Sequence, residues 1–247
     1  MNLSTYAILI AGALAGGFVT GLSGFGTALM ALGIWLYILP PSIAVPLVLI
    51  CSVCSQLSTL PSIWRSIDFR LVWPFVAGGL AGMPIGVVLV TRADPQAFRL
   101  TIGVMLLVFP ALLYFIRKPI SLQFGGRFAD GCVGFAGGIL GGLAGLSGPL
   151  PTLWASLRGW TKEQRRGVFQ VFNGSVLGAA LVGQIATGFM KLDVLWFAML
   201  ALPATLIGAQ LGMRTYRALS DRNFYDLVLA LLFLSGIILV WTSIAPR

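Results

Sequence analysis

Gly21-Leu22-Ser23-Gly24-Phe25-Gly26 interrupts the first apolar run of the chain, and Gly145-Leu146-Ser147-Gly148-Pro149 interrupts a later one. The first run extends from Thr5 to Leu39, 35 residues without a charge. As one straight helix it would be ~52 Å long, against a hydrocarbon core of ~30 Å. It must break, and a Gly-Ser-Gly cluster is where the backbone is freest to do so. Pro40-Pro41 then ends the run.

The surroundings of these breaks are those of a membrane protein. Of 247 residues, 58% are hydrophobic and 9% charged, with mean hydropathy +0.96; soluble domains carry roughly 25% charged residues. Apolar stretches long enough to span a bilayer recur throughout. Eight segments follow: Thr5–Leu39, Ile43–Pro61, Phe69–Val90, Ala97–Ile116, Phe128–Leu157, Gly167–Met190, Val194–Tyr216 and Phe224–Ile244. The first Lys or Arg is Arg65, so the N-terminal run lacks the basic start of a signal peptide and reads as a retained membrane segment.

The second half repeats the plan of the first. Ser23 matches Ser147 at an offset of 124, Asp68 matches Asp193 at 125, and Gly82-Met83-Pro84-Ile85-Gly86 matches Gly208-Ala209-Gln210-Leu211-Gly212 at 126. The chain therefore reads as an all-α polytopic membrane protein made of two repeats, 1–120 and 121–247, within one membrane domain.

Charge counting orients them. If each broken segment is a hairpin returning to its own face, twelve basic residues share one side and four the other. If each crosses once, the split is nine to seven. The positive-inside rule favours hairpins, with both termini outside the cytoplasm of a bacterial inner membrane. Each half then crosses an odd number of times, so the repeats have inverted topology, as in many secondary transporters. The net charge of +9 is accounted for by these loop anchors and does not imply nucleic acid.

A broken helix exposes N–H groups that suit an oxyanion. The expected anion cradle is Ser23, Gly24, Phe25, Gly26 and Thr27 with Ser147, Gly148 and Pro149, the serines serving as caps or hydroxyl donors. Intramembrane polar side chains point to ligands: Gln56 in segment two, and Gln170 with Asn173 on one face of segment six, are expected to orient the substrate. Gln184 lies further along the same helix. Arg165 and Arg166 are expected at the cytoplasmic mouth, as topology anchors or attractors of anions. The paired G-x-x-x-G stretches are assigned to helix packing.

Other chemistries find little support. Asp68, Asp94, Asp193 and Asp221 read as helix caps, and no carboxylate lies at midspan to relay protons or bind a cation. Gly-x-Ser-Gly also presents a nucleophile in intramembrane proteases, but that serine needs a base. The chain has no His, and its lysines lie outside the spans. Cys51, Cys54 and Cys132 read as packed thiols; no metal and no cofactor are expected. Trp64, Trp73 and Trp160 read as interfacial anchors.

The two glycine-serine stretches, Asp68 and Asp193 ahead of their segments, and the paired glycine helices resemble the TauE/SafE family of sulfite exporters. The resemblance implies two homologous halves and a substrate such as sulfite, thiosulfate or a small organosulfonate. The partners expected are that anion and the lipid bilayer; a homo-oligomer is compatible with the sequence. A carboxylate transporter and a membrane scaffold are the competing readings.

Overall fold

Helix ends in this chain are set by glycine, proline and aspartate. The computed structural model describes residues 3–64, 67–115, 125–158 and 160–218, with 233, 236, 237, 240 and 241. Most of the eighth apolar segment, with Asp221 and Asp226, lies outside them. Helix α1 (Leu3–Ser23) stops where Gly24 takes φ +80°, its N–H closing the last turn on Thr20 O at 2.8 Å. Gly26, at φ +113°, leads into α2 (Thr27–Ile38). Pro41 opens α3 (Pro41–Thr59), which a 3₁₀ turn (Leu60–Ser62) extends.

Asp68 Oδ1 accepts from Arg70 N at 2.9 Å to cap α4 (Phe69–Arg92). Asp94 Oδ1 accepts from Gln96 N and Ala97 N at 3.0 and 2.9 Å at the start of α5 (Pro95–Phe115). Both act as their sequence positions predict. Asp193, the third expected cap, instead sits inside the first turn of its helix.

In the second half, α6 (Gly126–Ala144) stops at Gly145, φ +70°, and Pro149 opens the short α7 (Pro149–Leu157). A capping box between Thr161 and Gln164 starts α8 (Lys162–Ala186), and α9 (Leu192–Ala218) completes the described chain. Among the described residues every regular element is helical, and six helices (α1, α3, α4, α5, α8 and α9) are long and apolar enough to cross a membrane.

Both interrupted segments fold back on themselves. Trp35 Nε1 donates to Leu9 O at 3.0 Å, Gly16 lies against Ala31, and the Thr20 and Thr27 hydroxyls meet at 2.5 Å, so α2 runs antiparallel to α1. In the second pair, Gly141 lies against Ser147, Gly137 against Pro151, and Trp154 Nε1 donates to Asp130 Oδ1 at 2.7 Å. These are helical hairpins, as the length of the interrupted segments predicts.

Glycine sets which helices touch. A Cβ at Gly82 or Gly86 of α4 would overlap the carbonyl oxygen of Phe135 or Ile139 on α6. A Cβ at Gly208 or Gly212 of α9 would overlap that of Leu14 or Phe18 on α1. Such close approach, possible only without side chains, brings large backbone areas into dispersion contact where lipid supplies no hydrophobic drive. The long first helix of each hairpin is thus seated on a glycine-faced helix from the other half of the sequence. Trp64 and Trp73 are exposed as interfacial anchors would be, whereas Trp160 packs edge-on against the buried Phe75, ring centroids 5.9 Å apart.

Candidate functional site

The two breaks meet. Phe25 of the first lies against Gly148 of the second, where a Cβ would stand 2.5 Å from the ring, and Gly145 lies against Ala28. The Phe25 ring is held edge-on by Phe169 and Phe109 at 5.8 and 6.4 Å. Residues of both breaks, with Thr20, Ser52, Gln56 and Asn173, line a partly open cavity. It gives the centre of a water-sized sphere about 10 Å³, room for about one water molecule.

The first break supplies most of the donors. Met30 N, bonded to Gly26 O at 3.1 Å, is the first amide of α2 to find an acceptor in its helix. The amides of Thr27, Ala28 and Leu29 precede it, and all three residues line the cavity. Together with the helix dipole they give this end of α2 a positive partial charge and donors without an acceptor in the helix. At the second break Thr152 N bonds Gly148 O at 3.0 Å, and Pro149 and Pro151 have no N–H at all. Leu150 alone is left to donate from the first turn of α7.

The amide side chains serve the first break as well. Gln56 Nε2 donates to Gly24 O at 2.9 Å and Asn173 Nδ2 approaches the same oxygen at 3.5 Å. Ser147 Oγ donates to Asn173 Oδ1, which sets the orientation of that amide. Gln170 does not line the cavity; its Nε2 donates to Gln56 O at 2.8 Å and to Thr59 Oγ1 at 2.6 Å, tying α8 to α3.

Neither serine caps a helix as expected. The N-cap residues of α2 and α7 are Gly26 and Gly148, without side-chain bonds. Ser23 closes α1, its hydroxyl reaching Val19 O at 2.8 Å and Phe25 O at 2.5 Å, while Ser147 lies inside the second break. The breaks therefore correspond at Gly24 and Gly145, both at positive φ and 121 residues apart, and not at the 124-residue offset of the matching letters. Either glycine of Gly-Leu-Ser-Gly can take the left-handed turn, and the two copies use different ones.

Arg166 also departs from its expected place at the mouth. It is 4% exposed, and its guanidinium donates to Gly21 O at 2.8 Å and Leu22 O at 3.1 Å, over the Tyr216 ring at 3.9 Å. A cation there complements the C-terminal end of α1 and satisfies carbonyls that the break exposes. Arg165 is half-buried.

Of the expected site residues, Phe25, Gly26, Thr27, Gln56, Gly148, Pro149 and Asn173 line the cavity. Ser23, Gly24, Ser147 and Gln170 shape it from behind. Ser52 and Thr20 line it without having been expected; Ser52 lies one turn before Gln56 on the same face of α3, the one signal that could have found it. Among the described residues no three His, Cys, Asp or Glu side chains gather.

A family model described as sulfite exporter TauE/SafE matches residues 8–239, which include both breaks. The chain belongs to the TauE/SafE family. No curated protein and no solved structure matches it significantly. TauE/SafE membership, with six helices able to span a bilayer, makes this an integral membrane protein of a transporter family and not of an enzyme family. The cavity between the breaks is the TauE/SafE chain's candidate transport site.

Proposed function

We propose that this protein is a secondary transporter or facilitator, working as an exporter, for a small sulfur-containing anion such as sulfite, thiosulfate or an organosulfonate. The observation that carries the reading is the meeting of two helix breaks at a partly open cavity faced by the free amides of α2. Amide N–H groups and the helix dipole stabilise an oxyanion without a cation that would hold it permanently. Family membership supplies the sulfur chemistry.

In this reading residues 1–120 and 121–247 are inverted repeats, both termini lie outside the cytoplasm, and access alternates across the two breaks. Arg165 attracts anions at the cytoplasmic mouth. Arg166 is left out of that role, because its guanidinium head is turned to the end of α1.

The test is a thermal shift of purified protein against sulfite, thiosulfate, sulfoacetate, taurine, acetate and chloride, followed by flux of the stabilising anion in proteoliposomes. Stabilisation and flux with at least one sulfur anion are expected. Response to acetate alone would make the protein a carboxylate transporter, and response to none would favour a scaffold.

A further inference from the structure

The cavity wall holds two side-chain atoms that the packing does not use, the hydroxyl Ser52 Oγ, which can donate, and the acceptor Gln56 Oε1. Ser52 is 2% exposed and lines the cavity, and its Oγ has no hydrogen-bond partner. A buried hydroxyl left unpaired is destabilising, so such a group in a cavity wall is poised to bond whatever enters. Its neighbour Ser55 is also buried and unpartnered, but it is not among the lining residues.

The charges of the wall are equally informative. No Lys, Arg, Asp or Glu lines the cavity. The positive end of α2 is equivalent to roughly half an elementary charge. Arg166, the cation behind the first break, is engaged with the carbonyls of α1, whose end carries about the opposite half charge. Because the cost of desolvating an ion rises with the square of its charge, a lining of this kind can compensate one negative charge far better than two.

We propose that the site takes a singly charged oxyanion and that Ser52 Oγ is its side-chain donor, completing the shell begun by the amides of Thr27, Ala28 and Leu29. The inference rests on the transport reading above and specifies the ionic form of its cargo. Sulfite then enters as hydrogensulfite and monoanionic sulfonates enter readily, whereas sulfate, thiosulfate and sulfoacetate, dianions at neutral pH, are excluded by their second charge, which narrows the cargo named in the transport reading.

Equilibrium binding to the purified full chain tests this with three probes: methanesulfonate, a monoanion at every working pH; sulfite, which passes from monoanion to dianion as pH rises; and sulfate, a dianion throughout. Methanesulfonate should bind independently of pH. Sulfite should weaken about tenfold per pH unit above its second ionisation, and sulfate should bind at least a hundredfold more weakly than methanesulfonate. Ser52→Ala should weaken methanesulfonate about tenfold without lowering the melting temperature of the ligand-free protein, since it removes an unpaired hydroxyl. Ser55→Ala should bind like the wild type.

Sulfate binding as tight as methanesulfonate, or sulfite binding that strengthens with pH, overturns the charge assignment. Unchanged binding in Ser52→Ala, or an equal loss in Ser55→Ala, overturns the role of Ser52. Wild-type protein that binds none of the three anions overturns this inference; the transport reading falls with it only if no sulfur anion of the thermal-shift series stabilises the protein.

Discussion

The two hairpins are built on one plan with opposite emphasis. In the first, the tip carries the donors: three free amides at α2, and a carbonyl at Gly24 steadied by Gln56 and Asn173. Its legs are joined by neutral contacts, Trp35 to Leu9 and Thr20 to Thr27. In the second, two prolines leave the tip almost without donors, and the legs are joined by charge. Asp130, 3% exposed, accepts from Trp154 Nε1 and pairs with Arg158 at 3.2 Å, whose guanidinium also stacks near Trp154 and Trp160. One hairpin presents donors, which the proposed reading uses for binding; the other packs Gly148 against Phe25 and holds Asn173 through Ser147.

Three measurements can break or sharpen that contrast. The largest effect should come from the clasp. Asp130→Asn removes the charge that Arg158 and Trp154 share, and should cost about 2–4 kcal/mol, read as a lower melting temperature in detergent. Trp35→Phe, which removes the corresponding neutral bond of the first hairpin, should cost only about 1 kcal/mol. Equal losses would erase the distinction between the legs.

Next come the tips. Ala28→Pro takes one amide from the first turn of α2, where proline is tolerated, and should weaken sulfite binding about tenfold, the worth of one bond to a charged group. Pro151→Ala, which adds an amide to α7, should change it by less than about threefold. A larger effect at Pro151 would mean that the second tip binds as well as supports.

The smallest difference is expected at the serines. Ser147→Ala releases Asn173 and should reduce flux a few-fold, about 1 kcal/mol. Ser23→Ala, whose hydroxyl is satisfied within its own turn, should leave flux near wild type. A loss at Ser23 equal to that at Ser147 would restore the symmetric role that the matching letters imply.

Those letters also mark how far the sequence could be read. Length made the hairpins legible, because a 35-residue apolar run is too long to cross once as a straight helix. The glycine helices were legible too, since G-x-x-x-G at matching places has few uses in lipid. The register of the breaks was hidden, because identical Gly-Leu-Ser-Gly letters turn at different glycines and Pro149 must occupy the start of α7. Arg166 was hidden by its position among loop charges; its partners are backbone carbonyls 144 and 145 residues away, which no side-chain pattern announces. Ser52 was hidden because a small hydroxyl residue in a membrane helix ordinarily bonds its own backbone, and this one does not.

The glycine seats have a mechanical consequence. With α1 fitted to α9 and α6 fitted to α4, backbone against backbone, neither half of the sequence can swing as a body of its own. Any displacement that widens the gap between Phe25 and Gly148 must carry a helix of the opposite half along with each hairpin. If transport requires the cavity to open, as the proposed reading has it, these seats couple the two halves in that movement.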